Sequence, residues 1–384
     1  MTHGFRLPSP FFGRRQTPGR PSFLTQAVFR VFWTAIWLMA AGGAVFLAGC
    51  QGPGLPDNLA QSYLVTDHGD WLEAVDCAGR NLALVPWETE VPPGFIPQRV
   101  IRIPVKRVVA ASGTYDPGII MALGELSVVV GSDELPENWY LPEILEAFRS
   151  GSLEFVGLWD SLDFEVIRRL KPDVILSSSL QVAQTLESLG FVVAVTYSHV
   201  NNDLDNRIKL FDFLGALLGR RSEAQALTTE LKMTLELVTE ATKGRPRPQI
   251  SWGIYFNNRV YPLNGDFWLS QIFEICGGDY VLSTLKAGSM ELNLESFLVA
   301  SAQADIYFAS VLYEGEVKTK ADYLGYHPEL SRLKSFGPGG RVYMPEAILF
   351  QDTGRLSDMV KEVAAIIHPE IWPDRKLKYF RELL

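Results

Sequence analysis

The chain has 384 residues and carries 35 Lys and Arg against 44 Asp and Glu, a formal net charge of −9. Setting aside residues 1–49, which hold five arginines and no acid, takes that charge to −14. So acidic a chain would repel phosphates, which argues against nucleic acid as a partner. Its three cysteines show no CxxC spacing, so neither a zinc site nor a disulfide framework is indicated, and Cys77 and Cys276 would pair only if the fold brought them together.

In chain order, the first element is a leader. Its arginines (Arg6, Arg14, Arg15, Arg20 and Arg30) precede an almost wholly apolar run from Val31 to Gly49, and small residues close it, the parts of an export signal. Leu47-Ala48-Gly49-Cys50 resembles the lipobox of bacterial lipoproteins. That resemblance implies that Cys50 is lipidated and becomes the new N-terminus, tethering the protein on the outer side of a membrane. The alternative is an uncleaved anchor, since about 20 apolar residues span a bilayer.

Residues 50–62 are expected to form a tether, and 63–106 a β-rich extension broken by Gly and Pro, as in "VPPGFIPQRVIRIPVKR". Beyond it, "RVVAAS" (107–112), "SVVVGS" (127–132), "DVILSS" (173–178) and "FVVAVT" (191–196) are short β-branched runs. Helices are expected near 115–123, 139–149, 164–170 and 181–189. Continuous apolar strands alternating with helices imply a parallel sheet covered on both faces. Ligands of such sheets bind at the carboxyl ends of strands, here the loops starting at Ser112, Ser132, Ser177 and Thr196.

An Asn/Asp cluster at 201–203 and Gly219 bracket a helix with two apolar stripes, which predicts burial on two sides. A second helix is expected to open with a Ser222-x-x-Gln225 capping box and to run to about Thr242. The α/β pattern then returns. Strands are expected at 249–256, 304–310 and 341–346, and helices near 267–276, 294–301, 354–367 and 374–383. "SLDFEVIRRLKPDVIL" (161–176) and "ELNLESFLVASAQADIYF" (291–308) echo one another across the two halves. The fold class expected is therefore α/β: two Rossmann-like lobes with mainly parallel sheets, joined by a single rigid helix, with a β-rich N-terminal extension. The expected divisions are signal peptide 1–49, tether 50–62, N-terminal lobe 63–202, linking helix 203–221 and C-terminal lobe 222–384.

Two such lobes behind a lipobox resemble the substrate-binding proteins of ABC importers for iron–siderophore complexes, cobalamin and haem. "KRVVAASGTYDPGIIMALGELSVVVGSD" is similar to that family's opening unit, and "DFEVIRRLKPDVILSS" to its helix–Lys-Pro-Asp–strand unit. "NGDFWLSQIFEICGGDY" resembles its C-lobe Gly-Gly segment, with Asn264 in place of the first Gly. The opening loop likewise reads Ser112-Gly113-Thr114-Tyr115 rather than the commoner Ser-Pro-Ser.

The resemblance implies a ligand held between the lobes. N-lobe candidates are Ser112, Thr114, Tyr115, Asp116, Trp139, Tyr140, Trp159, Asp160 and His199. C-lobe candidates are Tyr255, Asn257, Arg259, Tyr261, Asn264, Asp266, Trp268 and Tyr313. Aromatic faces would pack a macrocycle or catecholate. Arg259 suits bidentate pairing with ligand carboxylates, and His199 suits axial ligation of haem iron. The resemblance further implies that Glu165 and Glu295 dock onto the permease, although an acid in a first helical turn is favoured by the helix dipole anyway. Asp163 and Asn293 read as N-caps. The expected partners are a metal chelate or tetrapyrrole, an ABC permease with its ATPase, and the membrane through the lipid anchor. No cofactor of the protein's own is expected, and five histidines are too few for a bare-metal carrier. No GxGxxG, GxSxG, HExxH or GxxxxGK[ST] motif calls for an enzyme. A lipid-anchored sensor or hydrolase on the same fold is the alternative.

Overall fold

The structure, a computed structural model, describes residues 62–196, 202–256, 259–286, 291–309 and 317–384. The extension forms a four-stranded sheet: β1 (Leu64–Asp67), β2 (Leu72–Val75), β3 (Asn81–Pro86) and β4 (Val100–Ile103), in that order. The first three strands are antiparallel, and β4 runs parallel to β3. Its β2–β3 turn is fixed to the first lobe by buried charge. Arg80 pairs with Asp76 at 2.6 Å and with Glu187 at 2.9 Å, while the Asp76 carboxylate accepts the Val195 N–H at 2.9 Å.

The first lobe follows as β5 (Val108–Ala111), α1 (Tyr115–Ala122), β6 (Val129–Ser132), α2 (Pro142–Ser150) and β7 (Glu154–Phe155). A small hairpin, β8 (Gly157–Leu158) with β9 (Ser161–Leu162), leads to α3 (Phe164–Leu170), β10 (Val174–Ser177), α4 (Leu180–Ser188) and β11 (Val193–Val195). The five-stranded sheet is parallel, in the order β11-β10-β5-β6-β7. Every residue of β5, β6, β10 and β11 is buried. Alternate side chains supply separate cores: Val108, Ala110, Val174 and Leu176 on one face, Val109, Ala111, Ile175 and Val193 on the other. A strand buried on both faces needs an apolar side chain at every position, hence the continuous runs.

The linking helix is α5 (Leu204–Leu218). Asp203 caps it by accepting the Asn206 N–H, and Gly219 ends it at φ +67°, a conformation that costs glycine nothing. The next helix, α6 (Arg221–Thr242), follows at once, with no side-chain cap. The expected capping box is absent, because the helix starts one residue before Ser222 and the Ser222 hydroxyl donates to Glu223 instead. Both stripes of α5 are buried. Toward the extension, Phe213 lies 5.2 Å from the Tyr63 ring and the Leu217 carbonyl accepts the Val105 N–H. Toward α6, a Cβ on Gly215 would come within 2.6 Å of Ala224, so glycine permits the close approach of the two helices. Each fully buried Leu or Phe of α5 contributes about 1.5–3 kcal/mol.

The second lobe comprises β12 (Gln249–Phe256), β13 (Arg259–Tyr261), α7 (Trp268–Ile275), β14 (Asp279–Tyr280), β15 (Leu292–Asn293), α8 (Leu294–Ser301), β16 (Ile306–Ala309), α9 (Lys320–Tyr326), β17 (Arg341–Pro345), α10 (Leu356–Ile367) and β18 (Phe380–Glu382). The sheet order is β15-β13-β12-β16-β17-β18, with β14 also on β12; β12, β14, β16 and β17 are parallel. The helix expected at 374–383 is a correction: β18 instead pairs antiparallel with β17. The Glu362 carboxylate accepts the N–H groups of Lys378, Tyr379 and Phe380, which holds this segment extended. Cys77 and Cys276 are both buried and form no disulfide, so they do not pair with each other.

Candidate ligand-binding site

The carboxyl ends of the parallel strands carry the candidate site. The four N-lobe loop starts, Ser112, Ser132, Ser177 and Thr196, are all buried. Ser112 Oγ donates to Asp116 Oδ2 at 2.5 Å, and Thr196 Oγ1 donates to the same oxygen. Asp116 lies in the first turn of α1, where the helix dipole favours an acid, yet it is fully buried. Burial raises its pKa, against the two hydroxyl donors and the charge of Arg207.

Arg207 comes from the first turns of α5 and is 4% exposed. Its Nε donates to Asn202 Oδ1 at 2.9 Å, and its guanidinium lies 4.7 Å from the Tyr115 ring centre and 5.7 Å from that of Trp268. The Trp268 main-chain N–H donates to the Asn202 carbonyl at 2.9 Å. A cation between aromatic faces gains from their quadrupoles, more so once desolvated. One arginine thereby joins α1, α5 and α7, the elements that set the lobes against each other.

Near Asp116, Asp133 follows β6 and accepts the Gly113 N–H at 2.9 Å. Burial pushes its carboxyl up to about 8; the Gly113 contact lowers it and Glu134 raises it. Gly113 has φ +70°, which turns its N–H toward that carboxylate.

The remaining candidates are spread more widely. Thr114 Oγ1 donates across the lobe boundary to the Phe350 carbonyl at 3.1 Å. Tyr115 is half-buried, and Trp268 is fully buried, edge-on to Phe350. Trp159 is half-buried at the β8–β9 turn, and its indole N–H has no hydrogen-bond partner among the described residues. Trp139 is buried, Tyr140 is 43% exposed, and Asp160 is exposed. In the C-lobe, Tyr255 stands edge-on to His327 at 4.8 Å, and Tyr261 is half-buried. Arg259 is exposed and pairs with Glu291 at 3.1 Å. Asn264 closes the turn before α7: its side chain accepts the N–H of exposed Asp266 at 3.0 Å, and its carbonyl accepts the Ser270 hydroxyl at 2.6 Å. Cys50, His199, Asn257 and Tyr313 lie outside the described residues. Glu165 and Glu295 are exposed in the first turns of α3 and α8, behind the N-caps Asp163 and Asn293, and Glu295 pairs with Arg332 at 3.1 Å.

Sequence reasoning passed over three residues at the lobe boundary. Arg207 was visible as the one charge in line with Leu204, Phe211 and Leu214 on a buried stripe. Asp133 was visible as the acid directly after the strand run "SVVVGS". Gln351 left no pattern. Its amide joins the lobes twice, Oε1 accepting the Tyr140 N–H at 2.8 Å and Nε2 donating to the Asn138 carbonyl at 2.7 Å. Thr353 Oγ1 donates to the Tyr115 carbonyl at 2.7 Å, and a Cβ on Gly118 would fall 1.8 Å from the Gln351 carbonyl oxygen. A groove of about 550 Å³ opens alongside, lined by Tyr140, Ile348, Lys378 and Arg381 among others.

Known proteins share this architecture. A periplasmic heme-binding protein from Pseudomonas aeruginosa superposes with a TM-score of 0.56 at 20% identity, covering 73% of this chain and 98% of that one. The vitamin B12 binding protein of Vibrio cholerae gives 0.52 at 18% identity, over 71% and 99% of the two chains. At these identities the likeness is one of fold. In sequence, two uncharacterized lipoproteins of Methanocaldococcus jannaschii are each 24% identical, one over 73% of this chain and 70% of its own length, the other over 84% and 86%. The family model for periplasmic binding proteins matches residues 108–347, from the first strand of the N-lobe sheet to just past β17, and the chain belongs to that family.

Proposed function

We propose that this protein is the lipid-anchored receptor of an ABC importer, capturing a ferric siderophore, cobalamin or haem between its lobes and passing it to the permease. The observation that carries the reading is the family match across both lobes, together with loops of both sheets meeting at Arg207, Asn202 and Trp268. The family and the structural neighbours are solute-binding proteins rather than enzymes. Two of those neighbours are named for heme and vitamin B12, bulky ligands of the kind a cleft between two lobes takes. In this reading Trp159, Tyr255 and Thr114 are candidates to touch the ligand, with Arg259 the candidate partner of its carboxylates and His199 that of an iron. Tyr115 and Trp268 act by bracing Arg207. The relatives' names as lipoproteins support Cys50 as the lipidated residue, and exposed Glu165 and Glu295 support a docking role for the α3 and α8 ends. Native mass spectrometry of the purified protein offered haem, cobalamin and ferric siderophores tests the ligand class. One of them should add its mass once per chain; no added mass with any of the three would overturn it.

A further inference from the structure

Residues 62–103 precede the family match. Their sheet has one covered face and one outward layer. Tyr63, Ala74, Leu82, Leu84 and Ile101 join the core shared with α5, and strand alternation turns Leu64 away from it. Loop 87–99 crosses that outward side. Arg102, between the inward Ile101 and Ile103, donates to the Pro86 and Thr89 carbonyls at 2.9 and 2.7 Å, and Phe95 stands edge-on to Trp71 at 5.6 Å. The outward layer exposes Leu64 (57%), Trp87 (41%), Val91 (42%) and Ile96 (58%). These are four of the thirteen large apolar side chains exposed among the described residues, gathered on one short segment. The Trp87 indole N–H is satisfied by the Pro104 carbonyl at 3.0 Å, and Lys106 lies 4.7 Å from its ring centre. A tryptophan with its polar edge tied and its ring exposed beside a lysine suits the membrane–water interface.

We infer that this outward face rests on the lipid surface, seating Leu64, Trp87, Val91 and Ile96 among the headgroups and holding the tethered protein in one orientation. The inference rests on reading Cys50 as the lipid anchor. Only 11 residues, 51–61, separate Cys50 from Ser62. Fully extended they reach about 40 Å, and as a flexible coil about 20 Å. The first strand is therefore confined near the bilayer, where even a weak apolar contact is made at high effective concentration. Asp67, Asp70, Glu88 and Glu90 flank the patch, which favours zwitterionic over anionic headgroups.

The test uses the mature lipoprotein reconstituted into phosphatidylcholine vesicles that contain no other protein. Cys77 and Cys276 are buried, so a thiol introduced by Val91→Cys, Ile96→Cys or, as a control on the far lobe, Val299→Cys takes an environment-sensitive fluorophore selectively. With headgroup-region spin-labelled lipid, labels at 91 and 96 should be quenched several-fold more than the label at 299, and less on phosphatidylglycerol vesicles. Equal quenching at all three positions, in protein that floats with the vesicles, overturns the inference. So does shielding of position 91 that requires co-reconstituted permease. Failure to float is a separate result, read before any fluorescence, and removes the anchor reading together with what rests on it.

Discussion

Replacing Gln351 with alanine tests whether its side chain holds the lobes together. Gln351 is 4% exposed, and its amide satisfies two main-chain groups on the other lobe, the Tyr140 N–H and the Asn138 carbonyl. A buried polar group left without a partner costs about 1–3 kcal/mol, so two cost about 2–6 kcal/mol. The space vacated by the side chain admits water, which offsets part of that cost. The expected loss for Gln351→Ala is therefore at the lower end, about 2–3 kcal/mol. Gln351→Met fills the same space and admits no water, so it should destabilise at least as much as alanine despite its larger apolar surface. Urea unfolding gives the two free energies, and amide exchange at residues 138–140 shows whether the loss is local. If both variants stay within about 0.5 kcal/mol of the wild type, solvent already serves these groups and the side chain is no clasp.

Gly118→Ala should be the most damaging small change at the same boundary. The new Cβ has main chain rather than a flexible side chain in its way, so α1 and the 350–354 segment must separate; a loss of more than about 3 kcal/mol is expected in thermal or urea unfolding. Arg80→Ala strands the fully buried Asp76 carboxylate where the extension meets the N-lobe, while Glu187 keeps Arg99 at 3.1 Å; a loss of about 3–5 kcal/mol is expected, with early exchange of the amides of 62–103 as its signature. Asp133 has its folded-state pKa raised to about 8. Its protonated form therefore supports the fold fully below about pH 4, and that support is lost as pH rises toward 8, with a slope of at most about 1.4 kcal/mol per pH unit. Asp133→Asn keeps the neutral shape and should flatten that decline; an unchanged pH profile of urea midpoints would refute the assignment.

Strands were legible because a sheet covered on both faces needs unbroken apolar runs. "DVILSS" became β10 and "QISWGIYF" became β12 without adjustment of type. The paired echo was legible because Asp163 and Asn293 do the same work, each capping a short helix that leads to a buried strand. Residues 374–383 misled because Leu377, Phe380 and Leu384 fall at helical spacing, whereas the decisive partner, Glu362, is distant in sequence. The short helix α9 went unread although Thr319 and Asp322 form a reciprocal capping box. Within the site, which loops converge followed from topology, but which aromatic is filled in did not. Trp268 begins a helix at the cleft and still ends fully buried, because Arg207, Phe350 and the Asn202 carbonyl close around it. Contacts of that kind join residues about 60 to 80 positions apart, a range no local pattern reports.

The most direct measurement of the central claim is hydrogen exchange, peptide by peptide, on the 1:1 complex with whichever of haem, cobalamin or ferric siderophore the protein binds. Protection should appear together on 112–116 and 133–140 of one lobe and on 255–268 of the other, with the outer helices unchanged. Protection confined to a single lobe would mean that the space between the two sheets does not hold the ligand.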